Sequence, residues 1–227
     1  MVQQLEHLGT STEITKQVNE ILWPHFQDDL IRKAVKRGMT SDLADISDVE
    51  GTYQALKSNA TRIWIRIRQC NHGDLHAKNV AIDVGLTPVR AFIFDTGTMS
   101  PTVNVRDLAL LEVTSLLFPQ PVDDTSLVQS CESLYGNSVE PPAGGDLITG
   151  SSQARNTWAF IAEVRRRALG MCDQVVYALS VFDHALMELS GMAYQSTRNK
   201  IAVPTDAARL AAASAAWLRR VSPNWFS

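Results

Sequence analysis

The stretch that decides how this sequence is interpreted is CNHGDLHAKN, residues 70–79. It leads into a short apolar run, NVAI at 79–82, and a second run, VRAFIF at 89–94, ends directly before Asp95. The intervening DVGLTP is rich in turn-forming residues, so the two runs predict a β-hairpin. Such a hairpin returns Asp95 to the end from which the chain left Asn79.

Three oxygen-bearing side chains would meet at this end of the hairpin: Asp74, Asn79 and Asp95. Sites built from oxygen ligands alone suit Mg²⁺, which keeps several waters and needs one or two carboxylates together with substrate phosphates. Phosphoryl transfer uses this set of groups: one Asp orients the attacking hydroxyl, while an Asn and a second Asp hold the metal. The spacing therefore favours phosphoryl-transfer chemistry.

The pattern His72-x-Asp74-Leu75-x-x-x-Asn79 resembles the catalytic loop of protein kinases, with Gly73 in place of the usual Arg. With its glycine, HGDLHxxN is similar to the aminoglycoside phosphotransferase and choline-kinase-like branch of that superfamily. The run DTGTMSPTVNVRDLALLE also resembles, more weakly, kinase-like domains of bacterial conflict or signalling proteins. The resemblance covers little more than residues 70–110.

This resemblance implies a role for each matching residue. Asp74 would be the catalytic base, Asn79 and Asp95 would be metal ligands, and Asp107 of the RDLA segment would support the catalytic loop structurally. The other members of the loop are expected to be structural: His72, Gly73 and His76. The implied metal is Mg²⁺, with ATP as co-substrate, and the implied partners are a nucleotide and a small hydroxyl-bearing substrate.

The sequence departs from the kinase pattern in two ways. Thr96 stands where a Phe usually follows the metal-binding Asp, and only 71 residues, mostly helical by pattern, precede His72. Neither a GxGxxG loop nor a strand-borne Lys is found among them. We therefore expect a kinase-like C-terminal lobe without its β-rich N-terminal lobe, working with a missing lobe or partner protein, or as an inactive binding module.

Two other interpretations of the same residues remain open. DTG at 95–97 is also found in aspartic proteases, where two such loops share a proton between paired carboxylates. Those proteins are almost entirely β, whereas this chain is mainly helical by pattern. Alternatively, His72, Asp74 and His76 could alternate along a strand as metal ligands, as in a metallohydrolase. Gly73 favours a loop over a strand there.

Composition excludes several classes of protein. The 227 residues are 45% hydrophobic and 20% charged, as in ordinary globular domains, and the formal net charge of −3 predicts no nucleic-acid partner. Three scattered cysteines fit neither a disulfide framework nor a metal knuckle. With neither a signal peptide nor a membrane span by pattern, we expect a cytoplasmic protein.

The predicted fold class is mainly α with a small β-hairpin, in one domain over residues 1–227. A helical lead-in (1–60), including a helix from Thr10 to Pro24, precedes the catalytic loop and hairpin (61–103) and a helical subdomain (104–227). Alternation at 62–68 indicates a half-buried strand, although a helix end is also compatible. Helices are predicted at about 41–60, 104–118, 153–169, 173–195 and 205–221.

Three further expectations concern individual side chains. A solvated helix face is expected for Arg165, Arg166 and Arg167. Core positions are expected for three tryptophans: Trp64, Trp158 and Trp217. One apolar stripe along the 173–195 helix predicts an internal packing face: Val175, Leu179, Phe182, Leu186, Leu189 and Ala193.

Overall fold

A computed structural model of the chain describes its elements over part of the sequence. The described residues are 13–18, 32, 46–68, 80–83, 90–93, 102–103, 106–117, 135, 152–195 and 203–226. They contain five strands: β1 (Glu13–Gln17), β2 (Trp64–Arg68), β3 (Val80–Asp83), β4 (Arg90–Ile93) and β5 (Thr102–Val103). They also contain five α-helices: α1 (Ile46–Asn59), α2 (Arg106–Leu117), α3 (Ser152–Met171), α4 (Gln174–Gln195) and α5 (Val203–Val221).

The described helices confirm the coarse fold class, mainly α with a small antiparallel β component. Each corresponds to a predicted helical segment, with bounds that differ by a few residues. A short 3₁₀ turn, Pro223–Trp225, follows α5. No helix in the described ranges combines the length and apolarity that a membrane crossing needs.

Helix α2 forms the centre of the core. Every residue from Arg106 to Leu117 is buried, because the sequence is apolar on nearly all sides of the helix. It contacts α3, α4 and α5. The helix predicted at about 104–118 is thus present and lies within the core.

Helix α4 packs against α5 and α2 along the predicted stripe. Leu179, Phe182, Leu186 and Leu189 are all buried, which confirms an internal packing face at these positions. The facing surface of α5 is built from small side chains that let the two helix backbones approach closely: Ala207, Ala208, Ala211 and Ala215.

A three-stranded antiparallel sheet, in the order β1-β2-β5, lies beside the helices. In β2 the predicted alternation is confirmed: Ile65 is buried, as is Ile63 just before the strand, while Trp64 and Arg66 are exposed. The strand thus presents one face to the core and the other to solvent.

The predicted helix from Thr10 is wrong over the described residues, because Glu13–Gln17 form strand β1 instead. This strand pairs with β2 from Glu13 opposite Arg68 to Gln17 opposite Trp64, and the Val18 amide donates to the Ile63 carbonyl at 3.0 Å. Ile14 and Val18 are four residues apart, a spacing that fits a helical face and also a strand of period two. Pairing with β2 decides in favour of the strand. Lys16 is therefore borne on a strand, contrary to the expectation from the sequence.

The predicted hairpin is confirmed by a separate two-stranded sheet. β3 and β4 are antiparallel, with Val80 opposite Ile93 at one end and Asp83 opposite Arg90 at the other. The turn between them, residues 84–89, lies outside the described residues.

Candidate functional site

Most of the predicted site lies outside the described residues: His72, Gly73, Asp74, His76, Asn79 and Asp95. The structure describes the strands on either side of them and the helix that carries Asp107. The strands and the helix that flank these residues therefore define the surroundings of the candidate site.

The hairpin register relates the two predicted metal-binding segments. Val80, which directly follows Asn79 in the chain, pairs with Ile93, which lies two residues before Asp95. The chain therefore enters and leaves the hairpin at the same end. This is the relationship that the sequence predicted for the Asn79 and Asp95 segments.

A second strand pair encloses the whole candidate region. Arg68 at the end of β2 pairs with Thr102 at the start of β5, and Ile67 pairs with Val103. Both ends of residues 69–101 are thus fixed at one place in the three-stranded sheet. Helix α2 begins three residues after β5, so its first turn follows closely on this closure.

The first turn of α2 is anchored by a buried ion pair. Arg106 Nη1 contacts Asp183 Oδ2 of α4, and its Nη2 donates to the Met187 sulfur at 3.3 Å. Both charged side chains are buried, and such a pair needs close partners to offset the loss of hydration. Asp107, the next residue of α2, is also buried. Its proposed role toward the catalytic loop remains a prediction.

A second buried charge cluster lies deeper in the core, around Glu112 of α2. Arg165 of α3 approaches the carboxylate side-on, with Nη2 2.6 Å from Oε1 and Nε 3.3 Å from Oε2. The Tyr135 hydroxyl donates to Oε1, and the Tyr177 hydroxyl donates to Oε2 at 2.5 Å. Each carboxylate oxygen thus accepts two hydrogen bonds, as a fully buried charge requires.

Aromatic rings enclose the Arg165 guanidinium. Its central carbon lies 4.6 Å from the Tyr135 ring centroid and 4.8 Å from that of Trp217 on α5, within the range of cation–π attraction. Tyr177 meets Trp217 edge-on at 6.0 Å. The cluster therefore joins α2, α3, α4 and α5 through one polar centre.

The protonation states in this cluster follow from its burial and charges. Burial, together with the Glu112 charge, raises the pKa of Tyr177 well above its ordinary value, so its hydroxyl stays a donor. Burial alone would lower the pKa of Arg165, but the adjacent Glu112 carboxylate outweighs it and raises that pKa. Arg165 therefore keeps its positive charge and Tyr177 keeps its proton.

The predicted solvated face of three arginines is wrong for Arg165, which is 1% exposed. Arg166 is exposed and Arg167 partly exposed, and both bind Glu163, one turn back on α3, at 2.6 to 2.9 Å. Among the tryptophans, Trp217 is in the core as predicted, whereas Trp64 is 59% exposed, which corrects the expectation. The side chain of Trp158 lies outside the described set.

In each of these two buried clusters the acid is bound by an arginine of another helix. Glu112 is bound by Arg165 and two tyrosines, and Asp183 is bound by Arg106. No three His, Cys, Asp or Glu side chains of the described residues come together as a metal site. The Mg²⁺ ligands expected from the sequence, Asn79 and Asp95, lie outside the described residues and remain a prediction.

Sequence reasoning missed Asp183 and Glu112, the two acids that bind the buried arginines. Each is a single acid within a strongly apolar helical segment, in SVFDHAL and LALLEVTSLL. An isolated acid in such a context is a signal for a buried ion pair, because an unpaired carboxylate there would be very costly.

Comparisons with protein families, with curated proteins and with solved structures find no match for this chain.

Proposed function

We propose that this protein is a kinase-like phosphotransferase that moves the terminal phosphoryl group of ATP to a hydroxyl of a small molecule. The observation that supports this most is the pairing of Val80 with Ile93, because it brings together the segments that carry Asn79 and Asp95. HxDLxxxN alone is a short pattern. Its position directly before a hairpin whose second strand ends two residues before Asp95 adds a spatial argument to the pattern.

Asp74 is the proposed catalytic base. In phosphoryl transfer the acceptor hydroxyl needs an acceptor for its proton and an orientation toward the phosphorus atom, and one carboxylate supplies both. Asp74 follows β2 by six residues and precedes β3 by six, so it belongs to a segment held at each end by a strand. That anchoring supports a fixed position for the base relative to the hairpin.

Asn79 and Asp95 are the proposed metal-holding residues. An amide oxygen and a carboxylate are the hard oxygen donors that Mg²⁺ prefers. When bound, Mg²⁺ would neutralise charge that develops on the phosphate oxygens. In the chain, Asn79 directly precedes Val80 and Asp95 lies two residues beyond Ile93, and these two strand residues are paired.

The helical subdomain anchors the chain just after residues 69–101. The Arg106–Asp183 pair fixes the first turn of α2 to α4, and β5 connects that turn to the β2 pairing that closes residues 69–101. A loop built on rigid elements holds reacting groups more closely than a free loop does. The proposed acceptor pocket is formed by helices that follow residue 120.

Metal-dependent binding of ATP tests the proposed ligands. Calorimetric titration of the full chain with ATP in the presence of Mg²⁺ should give binding that is lost on chelation. Asp95→Asn should weaken it at least tenfold, because even residues that merely support a metal ligand contribute tenfold or more to metal affinity. Asp83→Asn is a matched control, since Asp83 belongs to the same hairpin but pairs with Arg90 at the far end.

The outcomes separate the proposal from its rivals. Equal loss in Asp95→Asn and Asp83→Asn would indicate general damage to the hairpin and would contradict the assigned ligand. Metal-dependent ATP binding without transfer to any hydroxyl would favour the kinase-like binding module. Metal binding lost in His72→Ala and His76→Ala but kept in Asp95→Asn would favour the metallohydrolase alternative.

A further inference from the structure

A cleft of about 370 Å³ lies where the end of α1, the start of β2 and the C-terminal 3₁₀ turn meet. Its volume is within the usual range for small-molecule sites. The residues that line it combine indole rings, amides and a guanidinium: Asn59, Arg62, Ile63, Trp64, Asn224 and Trp225. None of them belongs to the predicted catalytic site.

Trp64 is the most informative residue of this cleft. It is 59% exposed, and it is the one large apolar side chain in the described part of the chain that is exposed to this degree. The period of the strand explains its direction, because Ile63 and Ile65 occupy the core face and leave Trp64 on the solvent face. Opposite it on β1 lies Gln17, an uncharged partner.

Two exposed arginines flank this tryptophan. Arg62 precedes it by two residues and lines the cleft with it, and Arg66 lies about 7 Å further along the same face of β2. Within the described ranges neither arginine is bound to a carboxylate, and the β1 residue opposite Arg66 is Thr15. Glu13 lies further along this face, opposite Arg68, so the positive charge nearest the cleft is that of Arg62.

The opposite wall of the cleft is held in place by backbone contacts. The Asn59 side-chain amide donates to the Trp225 carbonyl at 3.0 Å, and the Trp225 amide donates to the Ser222 carbonyl at 3.0 Å. Trp225 also packs partly against the core. The wall is thus preformed, which reduces the ordering that a ligand must supply.

We propose that this cleft binds a mononucleotide, with the base against Trp64 and the phosphate against Arg62. An indole face stacks on heteroaromatic bases, and a guanidinium binds phosphate through two parallel hydrogen bonds. Besides the N–H that binds the Trp225 carbonyl, the Asn59 amide carries a second N–H and an oxygen that suit the edge of a base, and Asn224 lines the cleft with it. The combination of aromatic ring, cation and amides favours a ligand that carries both a planar base and an anionic group.

This cleft shares no residue with the proposed catalytic site. Trp64 begins β2 and Arg68 ends it, about 13 Å away, and the chain runs on toward Asp74 from the Arg68 end. Binding at the cleft needs neither Asp74 nor the Mg²⁺ ligands. The inference therefore stands independently of the proposed phosphotransferase activity.

The test is a calorimetric titration of the full chain with AMP in the presence of EDTA. Trp64→Ala should weaken binding at least fivefold, because stacking of one base on an aromatic ring is worth at least that factor. Trp64→Phe should retain most of the affinity. Arg62→Gln should weaken binding about tenfold or more, whereas Arg220→Gln, which removes an exposed arginine of α5, should leave it unchanged.

Two further ligands identify which groups are recognised. Adenosine should bind weakly and should be insensitive to Arg62→Gln, since it lacks the phosphate. Binding confined to a single-stranded oligonucleotide, with none of AMP, would overturn the assignment to a mononucleotide. AMP binding that is lost in Asp95→Asn and unchanged in Trp64→Ala would also overturn it, because the ligand would then occupy the other site. Circular dichroism confirms that each variant is folded.

Discussion

Arg68 and Thr102 lie opposite each other in adjacent antiparallel strands, so residues 69–101 leave the sheet and return to it at a single place. The predicted catalytic loop, the hairpin and Asp95 all belong to this enclosed segment. A segment closed in this way can hold several polar side chains in a fixed relation to the helical core. Within this segment, the pairing of Val80 with Ile93 likewise brings two points that are distant in the chain next to each other.

The first prediction concerns the ion pair that anchors α2. Arg106→Met should destabilise the protein by about 3–5 kcal/mol, because it leaves Asp183 buried without its cationic partner. Urea unfolding followed by tryptophan fluorescence measures this change. The double variant Arg106→Met with Asp183→Asn should recover part of the loss, and a strictly additive result would contradict the pairing.

The second prediction concerns the Glu112 cluster. Arg165→Met should also cost about 3–5 kcal/mol in the free energy of unfolding, because Glu112 then stays buried without its cation. Tyr177→Phe should cost less, about 1.5–3 kcal/mol, since it removes one hydrogen bond to a charged group. Arg166→Met is the control from the same arginine run, and should leave stability nearly unchanged because its ion pair is exposed. Equal effects of Arg165→Met and Arg166→Met would refute the buried placement.

The third prediction is a dependence of stability on pH at Glu163. Hydrogen bonds from Arg166 and Arg167 lower the pKa of Glu163 from 4.5 to about 2. A lowered carboxyl pKa stabilises the fold above the unfolded-state value, and this stabilisation is lost as the pH falls from 4.5 toward 2. The group is well exposed, so the effect should stay below about 1 kcal/mol.

Comparison of the wild type with Glu163→Gln isolates this contribution. The difference in their free energies of unfolding should be constant above pH 5 and shrink toward zero between pH 4.5 and 2. A difference in the free energy of unfolding that grows as the pH falls would contradict the ion pairs of Glu163 with Arg166 and Arg167.

The fourth prediction concerns the reactivity of Cys172. Burial, aided by the neighbouring Asp173 charge, raises the pKa of this thiol from 9.0 to about 12. Three pH units correspond to a roughly thousandfold smaller thiolate fraction, and the thiolate is the reactive form. Iodoacetamide at pH 8 should therefore modify Cys172 far more slowly in the native protein than in urea, as measured by mass spectrometry of its peptide. Similar rates in both conditions would place the thiol in a different environment.

Local patterns predicted those parts of the fold in which the pattern has a single interpretation. Helix α2 is apolar on nearly all sides, which allows one arrangement, and the structure has it. The alternation at 62–68 was also compatible with a helix end, and pairing with β1 and β5 decides in favour of the strand. Ile14 and Val18 fit two periods, so pairing with β2, a long-range contact, was needed to identify β1. Arg165 was misplaced for a similar reason, because its partner Glu112 lies 53 residues away and nothing in the run of three arginines distinguishes the buried one.

The sequence suggested which residue types would form the candidate catalytic site, but it did not reveal the cleft at Trp64. The order of strand, loop, hairpin and returning Asp follows from the residues of the 62–95 segment. Trp64 was expected in the core because tryptophan is usually buried, and the strand's alternation, which places it outside, was the better guide. The cleft between Trp64 and Trp225 joins positions far apart in the sequence, which no local pattern connects.

The most direct measurement of the central claim is ATP turnover with Mg²⁺ by the full chain, compared with Asp74→Asn. The account predicts metal-dependent phosphoryl transfer in the wild type and a loss of at least a hundredfold in Asp74→Asn, since a positioned base contributes about that much or more. Unchanged binding of ATP in the variant would show that the loss lies in the chemical step. Turnover that is equal in both proteins, or absent from the wild type, would contradict the account.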